Sequence, residues 1–415
     1  MHAGDRSKML ELDVDFHIHG RYSGGTSEDM SIPLLASQAP LKGLDVVATG
    51  DALHGGWRKH LRDNLTEEDG LYTAKGSTTR FIVETEVEDD RRVHHLILLP
   101  SLEGADQLAD ALRKHSVNID TDGRPNVRLN GAQLIDEVNA VGGLLGPAHA
   151  FTPWTAVYKE YESLGACYGD RLKHVKFLEL GLSADSDSAD RVAELSELTF
   201  MSNSDCHSPW PHRLGREFNR ILAKEASFKE IRKAICREGG RGFAMNAGLN
   251  PLEGKYHLTA CSRCYLKFRW KDALKLNRRC PECRGIIKKG VADRTDDLAD
   301  YDEPKHPDHR PPYIHIIPLA EAIAVATKTA TVTSKRVKGR WDALVGRFGT
   351  EIDVLVDSDI DEVIKADKDV GRVISLFRQG RMRYVGGGGG MYGRPTLERE
   401  KDRYYRGGQK TLGDF

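Results

Sequence analysis

The stretch VDFHIHGRYSG, residues 14–24, raises the first question about the fold. Its apolar residues alternate with Asp15, His17 and His19. Because successive side chains of a β-strand point to opposite faces, these three polar side chains are expected on one face. A polar strand face in water and a site made of imidazole and carboxylate both fit this pattern. The rest of the chain has to decide between them.

Composition bounds the class of protein. With 415 residues, 30% charged and 7% aromatic, the chain is typical of a soluble globular protein with two or three domains. No apolar run reaches membrane-span length and no signal-peptide core precedes the first strand, so we expect a cytoplasmic protein without a membrane partner. Seven cysteines argue against a disulfide framework and leave reduced thiols or metal ligation. A net charge of -1 means that nucleic-acid binding would need a local basic patch.

Short apolar segments recur through the first 210 residues, with helical or turn-rich stretches between them. They are LDVDFHIH, LDVVATGD, FIVETEVE, VHHLILLP, GLLGPAHA, VKFLELGL and LTFMSNSDCH. Between the fourth and the fifth, LNGAQLIDEVNAVGG has helical periodicity and a Gly pair that suits a helix end. This alternation predicts parallel strands with helical crossovers. Seven such strands favour a closed α/β barrel over an open sheet.

Polar residues follow or open the other predicted strands. They are Asp51 and His54, then Glu84, Glu86 and Glu88, His94 and His95, His149, and finally Asp205 with His207. In a βα barrel these strand ends converge on one face. Neutral imidazole and carboxylate suit zinc, manganese or iron, and a set of this size would hold two or three ions. The sequence therefore predicts a single metal cluster that includes His17 and His19.

Two CxxC pairs form a second group of metal-binding residues. Cys261 and Cys264 precede Cys280 and Cys283 by a spacing that is typical of a four-cysteine structural zinc site. Four thiolates complete a tetrahedron and leave no open position. A redox role for either pair is the alternative, but no thioredoxin-like context accompanies it.

Residues 253–289 around these cysteines are basic, with eleven Lys and Arg against three Asp and Glu, and they include four Tyr, Phe or Trp residues. Basic side chains neutralise phosphates and exposed aromatic rings stack on bases, so this module is a candidate nucleic-acid surface. A solvated basic face above a small zinc fold explains the composition equally well.

The remaining chain predicts a linker and a helical domain. Residues 293–312 are acidic and Pro-rich, as in a linker. Residues 313–415 have helical periodicity followed by the tail RQGRMRYVGGGGGMYGRP. The five glycines either make a flexible segment or allow backbone amides to approach a phosphate closely.

The order of these motifs resembles the polymerase-and-histidinol-phosphatase (PHP) phosphoesterase superfamily. The segments GDALHGGW, TEVEDDRRVHHLILLP, PAHAFTPW and SNSDCHSPWPHRLGREFN are similar, more specifically, to its endonuclease Q branch. The resemblance implies a distorted seven-stranded α/β barrel over residues 1–250, a four-cysteine zinc module over residues 251–292 and a mainly helical domain after the linker.

The resemblance also implies a set of ligands for two or three divalent ions, zinc, manganese or magnesium. They are His17, His19, His54, Glu86, His95, His149, Asp205 and His207. His95 is preferred over His94 because only one of two adjacent strand residues can face the cluster. Asp51 is either a ligand or an acceptor for a ligating imidazole. Asp205 is expected to hold a metal and position the attacking water, whereas Cys206 points into the barrel wall.

The function implied by the resemblance is cleavage of DNA on the 5′ side of a deaminated base or an abasic site, with a sliding clamp as a further partner to consider. The zinc module and tail would hold the duplex through Lys267, Arg269, Arg378, Arg381, Arg383, Gly388, Tyr392 and Arg394. Two alternatives remain open. One is a PHP phosphatase for a small phosphorylated metabolite, and the other is a nucleic-acid-binding scaffold without activity.

Overall fold

The computed structural model describes residues 9–400 and 402–405 and contains a mixed α/β barrel. The strands are β1 Leu10–Asp15, β2 Val46–Ala48, β3 Leu65–Glu68, β4 Leu71–Ala74, β5 Arg80–Glu88, β6 His94–Leu99, β7 Leu144–Pro147, β8 Phe177–Glu179, β9 Thr199–Met201, β10 Phe218–Ala223, β11 Gly242–Gly248, β12 Ala260–Cys261, β13 Ile287–Lys288, β14 Tyr313–His315, β15 Arg383–Val385 and β16 Arg394–Thr396.

Helices cover the barrel and form most of the carboxyl-terminal part. They are α1 Ile32–Lys42, α2 Gly55–Asn64, α3 Leu102–Arg113, α4 Gly131–Ala140, α5 Val157–Glu160, α6 Leu164–Tyr168, α7 Ser186–Ala189, α8 Phe228–Cys236, α9 Trp270–Lys275, α10 Val291–Leu298, α11 Leu319–Thr327, α12 Lys335–Phe348, α13 Ile360–Ala366 and α14 Lys368–Arg378, with a π-helical turn at Asp353–Asp357. Within the described ranges, no helix is long and apolar enough to cross a membrane.

The seven predicted strands close into a ring, so the barrel prediction is confirmed. Strands β1, β2 and β5 are parallel neighbours, and β6 joins β5 to β7. The amide of Ala150 donates to the carbonyl of Glu179 at 2.9 Å and links β7 to β8, which is parallel to β9. A parallel bridge between Ile18 and Cys206 connects the extension of β9 to that of β1 and completes the ring.

One strand departs from the expected all-parallel arrangement, because β6 is antiparallel to both of its neighbours. Only residues 89–93 separate it from β5, and a parallel connection needs a dozen residues or more. The carboxylate of Asp89 holds this short turn by accepting the amides of Arg91 at 2.9 Å and Val93 at 2.7 Å. As a result, β6 begins, rather than ends, at the mouth of the barrel.

The barrel sheet extends beyond the ring on both sides. Strand β10 lies antiparallel to β1, β11 lies antiparallel to β10, and β14 runs parallel to β11. The β3–β4 hairpin adds to the beginning of β5. Residues 293–312, expected as a linker, begin within α10 and are fixed by Arg310, whose buried guanidinium forms an ion pair with Asp190 at 2.9 Å.

The tail packs on the zinc module. The amide of Leu258 donates to the carbonyl of Gly387 at 2.9 Å, and Gly390 donates to the carbonyl of Lys255 at 2.9 Å. A Cβ atom built on Gly388 would lie 2.5 Å from the carbonyl oxygen of Leu258. The glycine run therefore permits close packing of backbone on backbone.

Candidate metal centre and DNA-binding surface

Seven side chains meet at the mouth of the barrel. Their ligand atoms fall into three sets, each within 4.8 Å: His17, His19 and Glu86; Glu86, His94 and His149; and His19, Asp205 and His207. The sets share His19 and Glu86, so they form one continuous cluster. Of the eight ligands implied by the resemblance, the structure brings six together and leaves out His54 and His95.

His17 has the environment of a metal ligand. Its Nδ1 lies 3.0 Å from both carboxylate oxygens of Glu179, which holds the ring proton on that nitrogen. Its Nε2 is buried and has no hydrogen-bond partner among the described residues. A buried nitrogen without a partner is costly unless another group takes its lone pair. The donor set therefore fits a metal ion bound at Nε2, and the polar-face-in-water interpretation of this strand does not hold.

Asp51 supports His19 from behind. Its Oδ1 is 3.3 Å from Nδ1 of His19 and accepts the hydroxyl of Ser23 at 2.9 Å, while its Oδ2 accepts the amide of Gly20 at 2.7 Å. The other nitrogen of His19, Nε2, lies 3.1 Å from Oδ1 of Asp205. Of the two alternatives for Asp51, the structure favours the acceptor that orients a ligating imidazole.

His94, and not His95, faces the cluster. In the β5–β6 pair, His94 lies opposite Glu88 and His95 lies opposite Val87. Paired residues share a face of the sheet, so His94 points with the glutamates, and its Nδ1 is 2.8 Å from Oε1 of Glu86. The structure does not bring the predicted ligand His95 to the cluster. Strand alternation requires one residue of the pair to face the cluster, and the register of the β5–β6 hairpin decides that it is His94.

His95 belongs to a separate buried group on the opposite face of β6. Its Nδ1 lies 3.0 Å from the hydroxyl of Tyr168, and its Nε2 lies 3.2 Å from Oδ2 of Asp89. Both ring nitrogens therefore have protein partners. Cys167 lies in the same group, but burial raises the pKa of its thiol and disfavours the thiolate needed for metal binding.

The prediction of His54 as a ligand is also not supported by the geometry. His54 is the N-cap residue of α2, and its Nδ1 accepts the amide of Trp57 at 3.2 Å. Its ring stacks on Tyr22 with centroids 4.0 Å apart. Two residues separate His54 from Asp51, and helix α2 begins directly after His54. The start of this helix directs the ring away from the cluster.

Three cluster or supporting residues have a left-handed backbone. The φ angles are +46° for Asp51, +30° for His149 and +44° for Asp205. This region is unfavourable for residues with a Cβ atom, and such strain concentrates at functional sites. The sharp turns aim the three side chains back over the barrel mouth.

Electrostatics at the mouth favour cations. Burial lowers the pKa of His19, but hydrogen bonds to Asp205 and Asp51 outweigh this effect and raise it to about 10. Burial also acts to raise the pKa of Glu86, but the neighbouring His94 and His149 hold it well below the usual value. Divalent ions compete with protons for such ligands, so metal affinity is expected to fall with falling pH.

A cleft of about 310 Å³ opens above the cluster. Its lining includes His94, Arg124, His149, Asp205, Arg216, Lys255 and Tyr392. The side chain of Asp205 is 30% exposed, whereas that of Glu86 is fully buried, so Asp205 is the carboxylate that a substrate can reach. Cys206 is fully buried in the wall, as expected.

The four cysteines converge as predicted from their spacing. Their Sγ atoms lie within 4.8 Å of one another, with Cys261 3.4 Å from Cys283 and Cys264 3.6 Å from Cys280. A small apolar cluster of Leu266, Phe268, Ala273 and Ile287 packs beside them. The donor set fits one zinc ion that holds the module together.

Three residues expected to bind DNA have structural roles instead. Lys267 is 3% exposed and forms an ion pair with Asp402 of the tail. The guanidinium of Arg378 donates to the carbonyls of residues 354, 355 and 358 and caps the π-helical turn. Gly388 donates its amide to the carbonyl of Met391 at 3.0 Å, so this amide is not available to a phosphate.

The other expected DNA-binding residues are accessible and stay candidates. They are Arg269, Arg381, Arg383, Tyr392 and Arg394. Tyr392 lines the cleft, and Lys255 and Arg213 lie 5.6 and 5.7 Å from the centre of its ring. It therefore connects the tail to the metal cluster.

Two residues at the site were missed from the sequence. Glu179 ends the strand within VKFLELGL, and a lone carboxylate in an apolar strand was the signal that could have identified it. Arg124 lies in the connection between α3 and α4, with its Nη1 3.2 Å from Oε2 of Glu86. A loop arginine carries no such signal.

The closed barrel and its cluster of imidazoles and carboxylates define an α/β-barrel protein with a candidate centre for divalent metal ions. The family of the MJ0043 C-terminal domain matches residues 318–381. The chain is 46% identical over 263 residues to the uncharacterised protein MJ0043 of Methanocaldococcus jannaschii, of which it spans only 32%. It is also 30% identical over 414 residues to the uncharacterised protein YqxK of Bacillus subtilis and spans 99% of it.

Two solved structures are similar over nearly the whole chain. The lesion-specific endonuclease PfuEndoQ of Pyrococcus furiosus has a TM-score of 0.88 at 46% identity, covering 94% of this chain and 96% of that one. An endonuclease Q complex with a 27-mer duplex, with an abasic lesion at its active site, has a TM-score of 0.90 at 46% identity, covering 94% and 97%. The chain therefore belongs to the endonuclease Q family of enzymes.

Proposed function

We propose that this chain is a metal-dependent DNA-repair endonuclease that cleaves the phosphodiester bond 5′ to a deaminated base, such as hypoxanthine, uracil or xanthine, or to an abasic site. The observation that carries the proposal is the continuous His and carboxylate cluster at the floor of the cleft, where the tail contributes Tyr392. The abasic-lesion duplex bound by a 46% identical relative supports DNA as the substrate.

Each group of residues has a role in this reaction. The imidazoles and Glu86 would hold two or three divalent ions, zinc, manganese or magnesium, which supply an ionised water and neutralise charge on the phosphoryl and leaving oxygens. Asp205, the accessible carboxylate, positions that water for attack on phosphorus. Arg124 presents a positive charge beside Glu86 that attracts the scissile phosphate. As the water oxygen bonds to phosphorus, the bond to O3′ breaks, leaving a 3′-hydroxyl and a 5′-phosphate.

The lesion is selected by its weak pairing. An enzyme that acts at one nucleotide extrudes it from the helix, and a deaminated or missing base costs less to extract. The exposed arginines of the zinc module and tail, Arg269, Arg381, Arg383 and Arg394, hold the phosphate backbone during this step. Tyr392 lies between that surface and the cluster.

The proposal also covers location and partners. A cytoplasmic location agrees with a four-thiolate site, which needs reduced cysteines. A sliding clamp is included as a second partner, to be tested by co-purification with the clamp of the same cell.

One experiment separates the proposal from its alternatives. Purified protein is incubated with manganese or magnesium and a labelled duplex that contains one hypoxanthine, beside an undamaged duplex and a small phosphate monoester. The proposal expects a single nick 5′ to the lesion that chelation abolishes. Hydrolysis of the monoester alone would indicate a phosphatase, and binding without cleavage would indicate a scaffold.

A further inference from the structure

Three buried asparagines form a chain of side-chain amides that ends at the metal cluster. Asn246 donates from Nδ2 to Oδ1 of Asn219 at 2.8 Å, and Asn219 donates from Nδ2 to Oδ1 of Asn203 at 3.0 Å. Asn203 donates from Nδ2 to Oε1 of Glu179 at 2.9 Å, and Glu179 in turn meets Nδ1 of His17 at 3.0 Å. A hydrogen-bonded path thus runs from β11 through β10 to the first histidine of the cluster.

The backbone fixes each amide in one orientation. Asn246 also donates to the carbonyl of Phe200 at 3.0 Å, and Asn219 also donates to the carbonyl of Ser202 at 3.0 Å. The amide of Phe16 donates to Oδ1 of Asn203 at 3.1 Å. With its oxygen held in this way, Asn203 can present only its NH₂ group to the carboxylate.

The path carries no charge before Glu179. Asn203, Asn219, Asn246 and Glu179 are at most 1% exposed, so water does not solvate the carboxylate. Neutral donors replace water, because Glu179 accepts from Asn203 and also from the amide of His149 at 2.8 Å. Oδ1 of Asn246, at the far end of the path, has no partner among the described residues, whereas the amides of Asn219 and Asn203 have partners for both their oxygen and their nitrogen. Hydrogen-bonded groups in a buried network polarise one another and hold one geometry.

We propose that Asn203, with Asn219 and Asn246 behind it, is a positioning residue that orients His17 through Glu179 and thereby sets the affinity of the centre for one of its metal ions. The inference rests on the metal centre of the proposed function. Glu179 keeps the ring proton on Nδ1 of His17 only while its own carboxylate stays aimed at that nitrogen. Without the donor of Asn203, the carboxylate can rotate, and Nε2 loses its fixed direction.

Manganese titration of the purified full chain tests this role without any DNA. Removing an outer partner of a metal ligand costs about 10–100-fold, and Asn203 supports such a partner, so Asn203→Ala should weaken binding at one site by about tenfold. Ser202→Ala changes the neighbouring buried residue, whose hydroxyl is outside the path, and should bind manganese like the wild type. Should the alanine variant not fold, Asn203→Leu keeps a similar shape and removes the donor, with weakening expected in the same direction.

A double substitution separates positioning from a general structural effect. Since Asn203 acts through Glu179, Asn203→Ala should weaken manganese binding by less than about threefold once Glu179→Gln is present. Equal weakening in both backgrounds, or unchanged binding in Asn203→Ala, would overturn the inference. Failure of lesion nicking with the coupling intact would reject only the proposed nuclease function.

Discussion

Replacing His94 by alanine should remove one metal ion and most of the activity, whereas replacing its neighbour His95 should lower stability alone. The two side chains lie on opposite faces of β6. Nδ1 of His94 is 2.8 Å from Glu86 within the cluster, whereas His95 binds Tyr168 and Asp89 inside the barrel wall. The pair provides a matched comparison at adjacent positions of one strand.

The magnitudes follow from these contacts. Loss of an outer partner of a metal ligand costs 10–100-fold, so loss of the ligand His94 itself should lower the nicking rate by at least ~100-fold. His95→Ala removes the hydrogen-bond partner of the Tyr168 hydroxyl and of Oδ2 of Asp89, at roughly 1–3 kcal/mol each. For a chain of 415 residues, whose unfolding entropy is about 0.9 kcal/mol/K, that corresponds to a melting temperature lower by roughly 2–7 °C.

Bound metal, nicking rate and thermal unfolding should be measured side by side for both variants. His94→Ala should unfold near the wild-type temperature after chelation and bind one ion fewer. His95→Ala should keep its metal content and its nicking rate at a temperature where it is folded. If His95→Ala lost metal and activity while His94→Ala lost only stability, the register of β6 that underlies the site would be refuted.

Four further predictions follow from the structure. Asp205→Ala should abolish nicking while leaving the unfolding temperature of the chelated protein within a few degrees of the wild type. Cys261→Ser should lose one zinc per chain by elemental analysis and keep the barrel ions, since the two sites share no ligand. Burial raises the pKa of Glu217 from 4.5 to about 8 in the folded protein, so the carboxyl ionises at a lower pH in the unfolded chain than in the folded one. The free energy of unfolding of the wild type should therefore fall as the pH rises from 4.5 to 8. Glu217→Gln lacks this loss, so urea unfolding should show it gaining stability relative to the wild type by up to ~1.4 kcal/mol per pH unit in that window. Arg378→Ala should lower the melting temperature without changing the salt dependence of DNA binding, whereas Arg383→Ala should reduce that salt slope by about one.

Each of these four predictions has its own contradicting result. Residual nicking in the aspartate variant would move the water-positioning role elsewhere. Loss of all metal in the cysteine variant would show that metal binding in the barrel depends on the cysteine site. A glutamine variant with the same pH profile as the wild type would mean that the buried carboxyl ionises without cost. Equal salt slopes for both arginine variants would show that Arg383 of the tail does not contact DNA.

The sequence was sufficient for the parts of the site that depend on strand alternation and strand ends. His17 and His19 share a face because they are two residues apart, whereas Asp205 reaches the cluster from a left-handed turn after β9. Glu86 was separable from Glu84 and Glu88 only through the resemblance, since all three share a face. The structure places Glu86 at the centre of the cluster.

The parts that failed depend on contacts between distant segments. The choice between His94 and His95 is set by the β5–β6 register, which follows from a turn held by Asp89. The role of Glu179 requires the ring to close through β9, which brings the end of β8 to the ring of His17. From the sequence alone, the basic residue Lys267 is a candidate DNA contact. The structure shows that it forms an ion pair with the distant Asp402 instead.

Anomalous diffraction from crystals soaked in manganese would locate the ions of the proposed centre. At least two peaks are expected at the barrel mouth, bounded by His17, Glu86 and Asp205, and separate from any peak at the four cysteines. A mouth without an anomalous peak at saturating manganese, in crystals whose cysteine site holds zinc, would contradict this expectation.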